Sequence, residues 1–252
     1  MTTGTHRPAT APPRPPVPVR AVVRTMLREQ RWLALTALLL PVAAGAITLL
    51  VRAFADVDGS VWEPGGTALR WMMLVVGATA TPLYLPTYVA HGVTRRRFTV
   101  AATLAAGGLA AAAAAYLAAG LLVERVLSVA GGAGAPRLAN AHLFDSTGQV
   151  HLVVAEYGLA FLAYLVTGWL LGSVYYRYGG WRGTLLVPLA LVPLAAVEVL
   201  INAVDELAGL LGTGPHLAVP LAAGLGLAVV AAGLLAVRVV VRDAPVRPAT
   251  GR

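Results

Sequence analysis

Six stretches of apolar residues dominate the chain, and short polar or charged segments separate them. They cover residues 32–51, 68–90, 98–123, 152–175, 183–203 and 217–241. Each stretch has about 20 residues or more, which as a helix rising ~1.5 Å per residue crosses ~30 Å of hydrocarbon. The pattern predicts an all-α membrane protein with six transmembrane helices.

A basic segment, residues 18–31, precedes the first apolar stretch and repeats with a helical period. Its arginines share one helical face, and apolar side chains such as Val22 and Met26 share the other. The arginines are Arg20, Arg24, Arg28 and Arg31. We predict a short amphipathic interface helix that lies on the membrane surface with its arginines toward anionic lipid. The alternative is that this segment is the cytoplasmic start of the first transmembrane helix.

The two termini lack this periodicity. Residues 1–17 are rich in Pro and Thr, which predicts a disordered cytoplasmic tail. Residues 243–252 are predicted to form a cytoplasmic C-terminal tail. The first apolar stretch begins too late and is too long for a cleavable signal peptide, so we expect it to remain as a membrane anchor.

The distribution of arginine predicts the orientation. If the N-terminus is inside, cytoplasmic segments hold fifteen of the nineteen basic residues: Arg7, Arg14, Arg20, Arg24, Arg28, Arg31, Arg95, Arg96, Arg97, Arg177, Arg182, Arg238, Arg242, Arg247 and Arg252. Most acidic residues then fall outside. Because basic residues concentrate on the cytoplasmic side of membrane proteins, we predict a multi-pass protein of the bacterial plasma membrane with both termini in the cytoplasm.

Composition narrows the chemistry. The chain is 58% hydrophobic and only 12% charged, and it contains no Cys and no Lys. The absence of Cys excludes disulfides and thiolate chemistry. The absence of Lys excludes a nucleotide-binding loop of the G-x-x-x-x-G-K-[ST] type and Schiff-base catalysis. The net charge of +8 comes from arginines that flank apolar stretches, so we expect the lipid bilayer, and not nucleic acid, as the partner.

Three carboxylates lie within or at the end of the outer halves of the predicted spans: Glu124, Glu156 and Glu198. Ionisable groups in this position are costly and often functional. They are candidates for an acidic outer vestibule that receives a cationic or amphipathic substrate, or for a proton relay. The alternative is that each carboxylate reaches water or pairs with a nearby arginine such as Arg125. We also expect the Asn202 amide to hydrogen-bond the Glu198 carboxylate, one helical turn away.

Catalytic and metal-binding patterns are missing. His142, His151 and His216 lack the tight helical spacing of a zinc motif, and Gly172-Ser173 lacks the surroundings of an intramembrane serine protease. We therefore expect no enzymatic activity, no metal and no cofactor. Gly107-Gly108 and Gly224/Gly226 offer small faces for helix contact.

The basic turn after the second apolar stretch, Gly92-Val93-Thr94-Arg95-Arg96-Arg97-Phe98, resembles the G-x-[ST]-R-R-x-[FL] turn of type-2 ABC transporter permeases, the integral-membrane subunits of ABC exporters. Glu124 and the turn Tyr176-Arg177-Tyr178-Gly179-Gly180 are also similar. The likeness covers residues 18–242 and is greatest to the permease-like proteins of actinobacteria.

The resemblance implies a six-helix bundle with an interface helix at 18–31 and a short outer helix within 204–216. It implies that Gly92 to Phe98 are the turn that couples to a separate cytosolic ABC ATPase, and that two permease subunits pair. The chain has no extended outer domain and no recognisable substrate motif, so the transported substrate stays open. Two other functions remain: a non-transporting membrane scaffold or regulatory subunit, and a small proton-coupled secondary transporter that uses Glu156 and Glu198.

Overall fold

A computed structural model describes residues 18–29, 31–55, 59–132, 134–212 and 215–245. Within these ranges the chain forms helices and turns and no strand, which confirms the all-α fold class for this part of the molecule. The predicted N-terminal tail lies outside the described residues, as does most of the predicted C-terminal tail. So do the side chains of Arg31 and His216.

The helices follow the apolar pattern closely. In chain order they are α1 (Val19–Glu29), α2 (Arg31–Arg52), α3 (Glu63–Thr79), α4 (Leu85–Ala90), α5 (Arg95–Ala130), α6 (Val150–Tyr178), α7 (Gly180–Leu185), α8 (Val187–Ala190), α9 (Val192–Asn202), α10 (Val204–Leu211) and α11 (Pro215–Arg242). A π-helical turn, Ala80–Tyr84, joins α3 to α4 without a break. Pro82 lies in this turn; because proline has no N–H to donate to the preceding turn, the wider π geometry lets the helix continue past it.

Five helices in the described part of the chain are long and apolar enough to cross a membrane. They are Leu35–Arg52, Glu63–Ala90, Arg95–Ala130, Val150–Tyr178 and Leu217–Arg242. Large apolar side chains on α2 remain exposed, Leu39 and Ile47 among them. Exposed apolar surface of this extent suits contact with lipid, so the helices are compatible with a multi-pass membrane protein.

The apolar stretch predicted as one span at 183–203 is divided into α7, α8 and α9. Pro188 lies in the first turn of α8 and Pro193 in the first turn of α9. Each proline ring crowds the preceding turn and removes one backbone hydrogen bond. Proline in this stretch therefore produces short consecutive helices and not the single uninterrupted helix expected from hydropathy.

Contacts between distant segments sort the helix ends into two groups. At the basic end, Arg95 at the start of α5 donates to the backbone oxygen of Arg242 at the end of α11, over 2.8 Å. At the acidic end, Glu124 near the end of α5 accepts from Ser60, just before α3, over 2.6 Å. The basic end carries α1 and the turn after α4, and the acidic end carries the loop between α5 and α6.

The tightest packing joins α3 to α6 through small residues on the α6 surface. A Cβ added at Gly168 would overlap the carbonyl oxygen of Leu74, and one added at Gly172 would overlap that of Ala78. Glycines four residues apart let the two backbones approach, as is common between transmembrane helices. Of the glycines expected to make helix contacts, Gly226 on α11 does so, because a Cβ there would overlap Leu159 of α6, whereas a Cβ at Gly107, Gly108 or Gly224 would meet no atom within 4 Å.

Candidate functional site

A buried cluster of ionisable side chains joins α3, α6 and the loop between α5 and α6 at the acidic end. His142 Nδ1 lies 2.7 Å from Glu156 Oε1, and His142 Nε2 lies 3.4 Å from Glu63 Oε1. The side chains of His142 and Glu63 are 4% and 6% exposed, and that of Glu156 is fully buried. We call Glu63, His142 and Glu156 the outer cluster.

Backbone groups of the loop complete the outer cluster. Glu63 accepts from the backbone N–H of Ala139 over 2.8 Å and from the side-chain amide of Asn140 over 2.7 Å. Glu156 accepts from the backbone N–H of Leu143 over 2.6 Å. Glu63 is the first residue of α3, where a negative charge also interacts favourably with the helix dipole. The two carboxylates therefore hold the loop segment 139–143 against both helices.

The geometry favours a protonated imidazole. Both ring nitrogens of His142 face carboxylate oxygens, which accept hydrogen bonds when ionised, so both nitrogens must donate. Burial by itself lowers the pKa of His142. The hydrogen bonds to Glu156 and Glu63 outweigh burial and raise the pKa from 6.5 to about 9. Phe144 stacks on the ring at a centroid distance of 4.6 Å and covers it. At neutral pH His142 is thus protonated and can donate to a carboxyl group on each side of its ring.

Glu198 of α9 belongs to a second polar group, which it forms with Arg70 of α3. Arg70 lies two helical turns after Glu63. Arg70 Nη1 lies 3.0 Å from Glu198 Oε1, and the two side chains are 16% and 24% exposed. The guanidinium also lies over the Tyr157 ring at 5.6 Å. The prediction that the Asn202 amide bonds the Glu198 carboxylate is wrong. The amide donates instead to the backbone oxygen of Glu198 over 2.8 Å, because an i to i−4 bond along the helix is within closer reach.

Glu124 closes the start of α3. Its carboxylate accepts from Ser60 Oγ over 2.6 Å, from the Val61 backbone over 2.6 Å and from the Trp62 backbone over 3.2 Å. These backbone groups would otherwise be among the unsatisfied donors of a helix N-terminus. Arg125 does not pair with Glu124 and instead donates to Ser146.

The three predicted vestibule residues thus lie at the same end but in three separate networks. Glu124 acts as a helix cap, Glu156 is fully buried, and Glu198 is paired with Arg70. Each carboxylate is engaged by protein donors. Buried carboxylates are satisfied by the nearest donors of the fold, and the shared acidic vestibule stays a prediction.

The predicted coupling turn is compact and ordered. Gly92 has a φ of +81°, Gly92 N–H donates to Val89 and Val93 N–H donates to Tyr88, which together end α4 with a Schellman motif. Thr94 then caps α5 by accepting from the Arg97 N–H over 3.3 Å. The turn needs glycine at position 92 because a left-handed conformation is unfavourable for other residues.

Only part of this turn is accessible. Phe98 is fully buried and Val93 is 5% exposed, whereas Thr94 and Arg96 are exposed. Arg95 is held by the end of α11. The exposed surface of the turn is therefore polar and basic, and it is anchored from below by two apolar side chains.

The amphipathic segment predicted as an interface helix forms α1, which packs against α5; its place on a membrane surface stays a prediction. Val22 and Met26 are buried, and Arg20, Arg24 and Arg28 are exposed on the other side. The helix ends at Glu29, so Arg31 begins α2. Glu29 accepts a hydrogen bond from Tyr88 at the end of α4, over 3.4 Å.

Histidine and serine show no catalytic arrangement in the described part of the chain. No group of three or more His, Asp or Glu side chains there is arranged to hold a metal ion; the two nitrogens of His142 point to opposite carboxylates. Ser173 is buried and lies 2.7 Å from Thr81 Oγ1, which also accepts from Trp169 Nε1 over 2.9 Å. This polar group links α6 to the π-helical turn.

Sequence reasoning missed Glu63 and Arg70 and did not connect His142 to Glu156. Hydropathy places the start of the second apolar stretch at residue 68, whereas α3 begins at Glu63. Glu63 and Arg70 are seven residues apart, so they share one helical face. That spacing was a detectable signal, but nothing in the sequence indicates which loop residue meets them.

No protein-family model matches this chain, and no curated protein or solved structure is significantly similar to it.

Proposed function

We propose that the chain is the transmembrane subunit of an ATP-driven exporter, of the type-2 ABC transporter permease kind, working with a separate cytosolic ATPase. The observation that carries the proposal is that three elements at the basic end share one apolar core. There α1, the end of α4 and the start of α5 pack together, with Met26 of α1 and Phe98 of α5 in one apolar group. A force applied at the exposed turn would be transmitted directly into two long helices.

A six-span arrangement, with α1 on the membrane surface, fits this proposal. The segment from Gly180 to Asn202 would supply the additional crossing, because even with its two breaks it has the ~20 residues that a crossing needs. The start of α5 contacts the end of α11 at the basic end, and the later part of α5 contacts the start of α3 at the acidic end. Helix ends that alternate in this way support an even number of crossings. The proposal puts both termini on the basic side, and the positive-inside rule favours that side as the cytoplasmic one in a bacterium.

The proposed mechanism uses the turn 92–98 as the docking point. ATP binding closes two cytosolic ATPase subunits, and the motion pushes on the exposed part of the turn, Thr94 and Arg96, in each of two paired permeases. Buried Phe98 and Val93 pass that displacement to α5 and α4. The α3–α6 unit moves as one body because its backbones are in close contact. A path for the substrate then opens toward the acidic end.

Purification of the full chain from native membranes in mild detergent tests the proposal. We expect a cytosolic ATPase with a Walker-type nucleotide-binding loop to co-purify in a defined ratio. Arg96→Glu reverses the charge of an exposed residue in the turn and should lower recovery of that ATPase at least tenfold. Arg137→Glu reverses an exposed charge in the loop of the acidic end and serves as the control, with recovery unchanged. Absence of any ATPase, or equal loss in both variants, contradicts the proposal.

A second candidate, proton-coupled transport, is favoured by the polar groups of the acidic end. Tyr157 lies between them: its ring is 6.1 Å from the His142 ring and 5.6 Å from the Arg70 guanidinium. Ionisable groups would then extend from the loop to Glu198. Reconstituted vesicles separate the two functions, because flux driven by a pH gradient and abolished by Glu198→Gln supports the carrier, whereas nucleotide-dependent flux supports the exporter. Absence of both would favour the scaffold.

A further inference from the structure

A cavity of about 280 Å³ opens between the start of α5 and the end of α11 at the basic end. Five residues line it, and four of them are arginines: Arg95, Arg96, Thr99, Arg238 and Arg242. None of the lining residues is acidic. The cavity is therefore a concentration of positive charge in a small space.

Helical spacing on two different elements directs these side chains into one cleft. Arg95 and Thr99 are four residues apart on α5, and Arg238 and Arg242 are four residues apart on α11. The hydrogen bond from Arg95 to the backbone oxygen of Arg242 holds the two helix ends together. The two helix ends that carry the cleft are thus joined directly to each other.

The charge of this cleft is not neutralised within the described residues. Arg96 and Arg238 are exposed, and no hydrogen bond or ion pair joins either guanidinium to another described residue. The Arg242 guanidinium lies 3.8 Å from Asp243, whose side chain is 61% exposed and does not line the cavity. Like charges that line one small cavity repel each other, so the arrangement is stabilised when an anion enters it.

Two further features favour a phosphate group. The first turn of α5 contains no acidic residue, so the positive end of its dipole is added to the charge of the arginines. Guanidinium groups bind phosphate oxygens through paired N–H donors. Several guanidinium groups that converge can therefore hold one phosphate group through several hydrogen bonds.

The neighbouring surface favours a lipid as the source of that phosphate. Val100 follows Thr99 on α5, Val239 follows Arg238 on α11, and both valines are exposed, at 42% and 65%. The cavity thus lies where the apolar surfaces of two candidate membrane helices begin. Basic pockets between transmembrane helices on the cytoplasmic side are known to suit anionic headgroups.

We propose that the cavity lined by Arg95, Arg96, Thr99, Arg238 and Arg242 is a binding site for the phosphate group of an anionic phospholipid. The acyl chains lie along the exposed apolar sides of α5 and α11. This inference does not rest on the exporter function: a lipid site at this position is equally available to a scaffold or a carrier.

The test measures lipid retention by the full chain, purified in neutral detergent and examined by native mass spectrometry. The probes are phosphatidylglycerol, phosphatidylcholine as the neutral lipid, and inorganic phosphate. We expect the chain to retain phosphatidylglycerol at least tenfold better than phosphatidylcholine. The double variant Arg238→Gln with Arg242→Gln should lose this preference, because glutamine removes the charge and keeps the backbone acceptor for Arg95.

Two matched variants make the result specific. Arg137→Gln with Arg182→Gln removes the same number of charges from exposed positions outside the cavity and outside α1, and should retain the preference. Arg238→Lys with Arg242→Lys preserves the charge and should retain most of it. A loss of equal size in the Arg137 and Arg182 variant indicates general surface attraction and overturns the proposal. Displacement of phosphatidylglycerol by millimolar inorganic phosphate also overturns it, because the site then holds a soluble anion. If the glutamine variant fails to fold, loss of the preference in the single Arg96→Gln variant decides the question.

Discussion

The imidazole of His142 and the carboxylate of Glu156 form a buried ion pair, with Nδ1 2.7 Å from Oε1. One partner lies in the loop between α5 and α6, and the other lies in the second turn of α6. Glu63 of α3 faces the opposite side of the same ring. This arrangement fastens an otherwise irregular loop to the two most closely packed helices of the molecule.

Stability should depend on pH through His142. Its pKa is raised from 6.5 to about 9 in the folded chain. A group with a raised pKa contributes its full stabilisation below the unfolded value and loses it as the pH rises through the folded value. We therefore expect the thermal unfolding temperature in detergent to fall between about pH 6.5 and pH 9, corresponding to a few kcal/mol.

Two histidine variants check the source of that pH dependence. His142→Gln should lower stability at pH 6.5 and flatten the decrease up to pH 9, because a buried carboxylate loses its ionic partner. His151→Gln, an exposed histidine one residue into α6, is the control and should leave the curve unchanged. An equally steep decrease in the His142 variant would contradict this role.

The glycine contact between α3 and α6 should tolerate no side chain. Gly168→Ala places a Cβ against the carbonyl of Leu74 and forces the helices apart. Overpacking of this kind costs about 1–3 kcal/mol, so we expect a clear fall in the unfolding temperature. Gly107→Ala is the matched control, because its Cβ meets nothing within 4 Å. It should be neutral or slightly stabilising, since alanine favours helix by up to about 1 kcal/mol; equal effects of the two substitutions would argue against the contact.

The Arg70–Glu198 pair should show energetic coupling. Arg70→Gln and Glu198→Gln each leave a partly buried charge without its partner, which costs about 1–3 kcal/mol for a group that keeps some access to water. The double variant should be destabilised by less than the sum of the two, with a coupling of about 0.5–3 kcal/mol. Unfolding of the four proteins in one detergent measures this cycle, and strictly additive effects would show that the pair contributes nothing.

Orientation can be tested with single cysteines, because the chain has none. Asp145→Cys lies in the loop of the acidic end and Thr94→Cys in the turn of the basic end, and both positions are exposed. We expect an impermeant thiol reagent to label position 145 in intact cells and position 94 only after permeabilisation. Labelling in the reverse order would invert the predicted topology.

Hydropathy and helical period predict the position of most helices without any knowledge of tertiary contacts. The amphipathic segment became α1, with Val22 and Met26 on its buried side. The failures are specific. Hydropathy does not indicate that Pro188 and Pro193 divide the stretch 183–203 into short helices. It also places the start of α3 several residues too late, because the first turn of this helix is polar. The candidate site was predicted only as separate residues, and Glu156 and Glu198 proved to belong to different networks.

The sequence by itself determined which segments are helical and apolar and how the charges are distributed between the segments that connect them. These properties depend on neighbouring residues, and hydrophobic periodicity records them directly. Only the tertiary structure decided which buried polar groups meet: His142 with Glu63 and Glu156, Arg70 with Glu198, and Arg95 with the end of α11. A buried charge must be satisfied by whatever donor or acceptor the packing brings within reach. The partners are therefore chosen by the packing of helices that are distant in the chain.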